Sequence, residues 1–131
     1  MMSNVKDFRF LLYKVEQEDV IVKAFIQNET LWLTQKSMAE LFGVNKSTIS
    51  RHLKNIYEEK ELVEQSTVAF FATVQNEGER EITRNIAFYN LDAIISVGYR
   101  VNSMRATHFR IWATNILKEY IQKGFWQRLF S

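Results

Sequence analysis

Cysteine and proline are both missing from the 131 residues. Without cysteine there are no disulfides and no thiolate metal ligands, which fits a reducing compartment such as the cytoplasm. Without proline, neither a cis X–Pro bond nor a proline-rich linker can form. Histidine occurs only at His52 and His108, so metal and imidazole chemistry have few groups to use. The opening Met1-Met2-Ser3-Asn4-Val5-Lys6-Asp7 lacks the apolar core of a signal peptide. No apolar run approaches the ~20 residues of a membrane helix. These absences predict a cytoplasmic protein with no membrane association. What is present is ordinary for a folded protein: hydrophobic residues make up 47% and charged residues 24%, too apolar for a disordered chain. At this length a single domain over 1–131 is expected, and no repeat or linker divides it.

The net charge of +2 conceals a segregation: residues 1–30 sum to −1, 31–57 to +3, 58–97 to −5 and 98–131 to +5. Two basic blocks split by an acidic one suit either a nucleic-acid partner or pairing of the acidic middle with the basic ends inside one monomer.

Val20–Ile26 is β-branched and aromatic, and Leu31–Leu33 follows a polar turn, so a hairpin is predicted. Thr34 offers an N-cap oxygen to a helix from Gln35 to about Phe42, and Gly43 breaks it. Asn45 is placed to cap a second helix, from Lys46 to about Glu59. Thr67–Val74 and Arg80–Asn90 read as a second hairpin around Gly78. A short apolar helix, Leu91–Val97, is expected to end at Gly98. A long helix from about Met104 to Lys123 follows, with Gly124 beyond its end. Its apolar residues Phe109, Trp112, Ala113, Ile116, Leu117, Tyr120 and Ile121 form one stripe at helical spacing, and Tyr120 is therefore assigned to the core.

The stretch from Gln35 to Lys54 carries the chemistry. Ala39 is small where two helices would cross, and Gly43 permits a left-handed turn residue. Met38, Phe42, Val44, Ile49 and Leu53 supply the apolar wedge. Once they face inward, Ser47, Ser50, Arg51 and Lys54 share the outer face of the second helix. Arginine can fork onto guanine O6/N7, lysine and serine reach phosphates, and Asn45 with Lys46 stands at a helix N-terminus that attracts phosphate. The predicted DNA-binding set is Gln35, Asn45, Lys46, Ser47, Ser50, Arg51 and Lys54, with Lys36, Arg100 and Arg105 as candidate phosphate contacts. The bland alternatives are an αα-corner with a solvated face, and arginines paired with Glu58, Glu59, Glu61 or Glu64. Asn102 and Ser103 read as caps of the long helix.

Catalysis is not expected. His108, Arg105, Arg110 and Tyr120 hint at a tyrosine-recombinase set, but His108 and Arg110 are two positions apart, which is the wrong spacing. No G-x-x-x-x-G-K phosphate loop and no H-E-x-x-H pair occurs. No catalytic residue, metal site or cofactor is assigned.

Several blocks resemble one family. They are Trp32-Leu33-Thr34-Gln35, Met38 to Val44, Ser47 to Ile56, Phe88 to Ser103, Phe109 to Thr114 and Leu117 to Ile121. Together they resemble the RhuM-type virulence proteins of bacteria over residues 15–125, with 126–131 a divergent tail. The resemblance implies a DNA-binding protein, often carried on mobile elements; the module also looks like the front end of some Fic-domain proteins. Lys60 stands where that family usually has glycine, which predicts a differently shaped exit from the second helix. Members also continue beyond the Gly124-Phe125 step, where this sequence reads Phe125-Trp126-Gln127-Arg128-Leu129-Phe130-Ser131.

The expectation is therefore an α+β, winged-helix-like helix-turn-helix domain with two β-hairpins and a long C-terminal helix. It would bind double-stranded DNA sequence-specifically as a regulator, as a homodimer joined through the apolar tail and the Trp112 stripe. The alternative is a protein-docking or dimerisation module without DNA specificity of its own.

Overall fold

Alternation in the first apolar run decides the architecture. Along Ile21–Gln27, Val22, Ala24 and Ile26 are buried on one face, while Phe25 is buried on the other. A strand buried on both faces needs two cores, and the protein has two. The structure, a computed structural model, describes residues 3–4, 9–15 and 20–130. In chain order its elements are β1 (Ser3–Asn4), β2 (Arg9–Lys14), β3 (Ile21–Gln27), β4 (Thr30–Leu33), α1 (Gln35–Phe42), α2 (Lys46–Glu58), α3 (Glu64–Thr67), β5 (Val68–Glu77), β6 (Arg80–Asn90), α4 (Leu91–Arg100) and α5 (Met104–Phe130).

The strands form one sheet in the order β1-β5-β6-β4-β3-β2, antiparallel except where β1 joins β5. This corrects the picture of two separate hairpins. Trp32 pairs with Asn90 and Leu33 with Tyr89, so the root of the second hairpin is an inner part of the sheet rather than a free wing. The α+β class holds; a winged-helix topology does not emerge from this strand order.

The sheet is curled. Phe25 on β3 and Phe71 on β5 stand three strands apart, about 14 Å in a flat sheet. Their ring centroids are 5.0 Å apart, edge to face, and Phe88 lies 4.9 Å from Phe25. Bending toward this face closes Phe25, Trp32, Phe71 and Phe88 into a buried aromatic cluster. The opposite face carries Val22, Ala24, Leu31, Leu33 and Tyr89 and packs against the helices through Met38, Leu41, Ile49, Ile56, Ile94 and Phe109.

The β3–β4 and β5–β6 turns use different devices. Asn28 and Glu29 both take positive φ, 54° and 60°, the type I′ pattern that matches strand twist. The β5–β6 turn is tighter than the sequence suggested, with Gly78 and Glu79 alone between Glu77 and Arg80.

Three features of the last two helices differ from expectation. Gly98 does not end α4; it lies inside the helix, where a Cβ would strike the Cβ of Ala106 on α5. The true end is a Schellman arrangement, with Asn102 at φ 51° and Ser103 N–H donating to Gly98 O at 3.4 Å. Gly124 likewise does not stop α5, which continues to Phe130. Tyr120 is 41% exposed rather than core. The Ile121 end of the stripe and the side chains of Phe125, Trp126, Leu129 and Phe130 lie outside the described residues.

Candidate nucleic-acid interface

The corner between α1 and α2 is built by local chemistry first. Thr34 Oγ1 accepts from Ser37 N–H at 3.0 Å, capping α1 as its sequence position implied. Gly43 closes the helix at φ 68°, and Val44 N–H donates to Ala39 O at 3.1 Å. The turn is then braced from a distance. The Arg105 guanidinium lies against Gly43, where a Cβ would fall 2.6 Å from its Nη1, and Nη1 donates to Leu41 O at 3.4 Å. Glycine at 43 thus meets two demands, positive φ and room for Arg105.

Met38, Leu41, Phe42, Ile49, Leu53 and Ile56 are buried between α1, α2 and the rest of the core, with Ala39 and Val44 packed against them. That packing fixes the rotation of α2 about its axis. Asn45, Lys46, Ser47, Ser50, Arg51 and Lys54 all end up exposed. No acid occurs in α2 before Glu58, so this face is cationic and polar along its first two and a half turns. Glu58 approaches Lys54 to 3.9 Å, but both side chains are exposed and such a pair is held weakly. The side chain of Asn45 occupies the N-cap position without making a capping hydrogen bond, contrary to the capping role expected of it. The first N–H groups of α2 therefore keep donors that an anion can accept.

The remaining predicted residues separate into different roles. Lys36 is exposed on α1. Gln35 is half-buried and donates from Nε2 to Tyr89 Oη at 2.9 Å, which ties the start of α1 to β6. Arg100 is engaged by acids: Nη2 lies 2.6 Å from Glu59 and 3.5 Å from Glu61. For Arg100 the internal pairing weighed at the sequence level is what the structure shows. These acids sit where α2 ends, and the hydrogen bond to Glu59 raises the arginine's pKa further. Arg105 is committed to the α1 carboxyl end. Its neighbour Ser103 caps α5, its Oγ accepting from Arg105 N–H at 3.1 Å.

Sequence reasoning gave His52 no role. It is half-buried on α2, and burial, then the charges of Arg51 and Arg100, push its pKa below the ordinary 6.5. Nor could the sequence link Arg105 to Leu41, 64 positions away; only packing brings them together. Lys60 takes φ 60°, and Glu61 N–H donates to Ile56 O at 3.0 Å, the same Schellman exit a glycine would make.

Among the described residues no cluster of three His, Cys, Asp or Glu side chains could hold a metal, and no helix is long and apolar enough to cross a membrane. The model of the virulence protein RhuM family matches residues 66–128, which bears out the RhuM-type resemblance over that stretch. The match covers β5, β6, α4 and most of α5 and excludes the α1–α2 corner. No curated protein and no solved structure matches the chain.

Proposed function

We propose that this chain, of the RhuM family through its residues 66–128, binds double-stranded DNA with α2 in the major groove. The observation that carries the reading is the composition of the exposed α2 face. Asn45, Lys46, Ser47, Ser50, Arg51 and Lys54 share it without an intervening acid, next to an N-terminus whose cap side chain is uncommitted. Arg51 is the residue suited to fork onto guanine, while Lys46, Ser47 and Lys54 suit phosphates. Lys36 extends the phosphate-binding surface onto α1. Arg100 and Arg105 are left out of the contact set, and Gln35 orients α1 through Tyr89. A role in regulating transcription follows if binding proves sequence-specific.

Selection from random duplex DNA, followed by a salt titration of the selected site, tests the reading. Several neutralised phosphates make log affinity fall steeply with log salt. A flat salt response, or no enriched sequence, would leave α2 as an ordinary solvated helix. The docking-module alternative rests on a different observation, the exposure of Tyr99, Met104 and Ile111 on α4 and α5.

A further inference from the structure

The inward stripe of α5 is spent on the monomer: Phe109 and Ala113 are fully buried, and the Trp112 ring lies 4.9 Å from that of Tyr13. The side of α5 that turns toward α4 is shaped differently. On α4, Ile95, Gly98, Tyr99 and Asn102 recur at i, i+3, i+4 and i+7 and form one row. From the start of α5, Ser103, Ala106, Thr107 and Arg110 recur at the same spacing. The helices touch at Gly98 and Ala106, where a Cβ on the glycine would strike that of the alanine. Beside that contact the two rows line a cleft of about 400 Å³, together with Met104. Tyr99 is 76% exposed and Met104 71%, so the cleft leaves apolar surface in water.

Charge narrows what fits. Arg110 is the one charged residue lining the cleft, and it is exposed. No acid lines the cleft, and among the described residues no acid pairs with Arg110. Tyr99 and Met104 offer a ring and a polarisable thioether, surfaces that favour an aromatic body over an aliphatic one. The volume falls within the ~300–1,000 Å³ of small-ligand sites. We propose that the α4–α5 cleft is an effector site for a small aromatic carboxylate, its ring against Tyr99 and Met104 and its carboxylate on the Arg110 guanidinium. The same walls hold the α1–α2 corner. Phe42 of α1 lies against Gly98, and Arg105, next to Ala106, donates from Nη1 to Leu41 O beside Gly43. An occupant that spreads the two rows acts on the contacts that set this corner. Regulation of α2 rests on the DNA reading; the binding itself does not.

Titration of the full chain with 1-naphthaleneacetate, followed by amide chemical shifts without DNA, tests the site. Binding at roughly 0.1–1 mM is expected for a ligand of about fourteen non-hydrogen atoms, with shifts between residues 95 and 110 and at Gly43. The neutral amide of the same compound should bind about threefold more weakly or worse. Arg110→Gln, at an exposed position, should weaken the carboxylate by a similar factor and leave the amide unaffected. No saturable shift in the cleft, equal affinity for acid and amide, or undiminished carboxylate binding by Arg110→Gln would each overturn the site. Shifts in the cleft that leave the Gly43 amide unmoved would overturn its coupling to the corner. Cleft amides that shift with protein concentration alone would make a second copy the occupant and remove the small-ligand assignment. Failure to bind DNA would sink the α2 reading and leave the ligand result standing.

Discussion

Arg51 and Lys54 share a helix face but should behave differently. Arg51→Ala is expected to cost about 1–3 kcal/mol at a selected site and to relax preference at one base pair. Lys54→Ala should weaken all sequences alike and lower the salt slope by roughly one. Parallel binding titrations of selected and scrambled duplexes check both. Lys60 gives a stability prediction at the same scale. A lysine in the left-handed region costs about 1–2 kcal/mol, partly offset by glycine's greater unfolded freedom. Lys60→Gly should therefore stabilise the protein by roughly 0.5–1 kcal/mol, read as a higher urea midpoint. His52 supplies a pH effect. Its folded pKa lies below 6.5, so above 6.5 the group is neutral in both states and costs nothing. As pH falls below 6.5 the unfolded chain takes up the proton first and stability declines. His52→Gln should flatten that part of the stability profile. The outer-face residues were legible because inward apolar positions at helical spacing leave a defined remainder. The commitments of Arg100 and Arg105 were not legible, since their partners come from helices far away in sequence.

At the level of elements, the β5–β6 hairpin stands after a helix corner, where a wing would stand, yet its tip carries Glu77, Glu79 and Glu81. Arg84, further along β6, is bonded to Glu77 at 2.8 Å. Repulsion from phosphate should keep this tip out of a groove, and replacing the three glutamates by lysine should raise non-specific affinity by adding counterion release. Unchanged non-specific binding in low-salt titrations would show that the tip lies far from DNA. The α4–α5 crossing depends on Gly98. Alanine is normally the better helix former by about 1 kcal/mol, but here its Cβ meets Ala106 and crowds Phe42. Gly98→Ala should therefore destabilise by about 1–3 kcal/mol, measured by denaturant unfolding. Helices α1 and α2 and strand β6 were readable because their caps and periodicity are local signals. The one-turn α3 was not; it is held by Thr67, whose Oγ1 donates to Val63 O and lies 2.8 Å from the Tyr57 hydroxyl.

For the molecule as a whole, helices and sheet share one core and the curled sheet closes a second one around aromatic rings. Four buried rings in mutual edge-to-face contact join strands β3, β4, β5 and β6. Phe71 touches all three of the others, so Phe71→Ala should cost about 3–5 kcal/mol and loosen the hairpin from the sheet, visible as faster amide exchange along β5. The sequence by itself determined the types of β3 to β6, α1, α2, α4 and α5, the α1–α2 corner and the charge on its outer face, because each rests on near-neighbour spacing: apolar positions at helical or strand period, a threonine cap, a glycine turn. The tertiary structure alone decided where helices stop despite a glycine, which arginines are committed to internal partners, and how two hairpins merge into one curled sheet. Those outcomes depend on contacts between residues tens of positions apart, and the energy of such contacts is set by packing that no local pattern encodes.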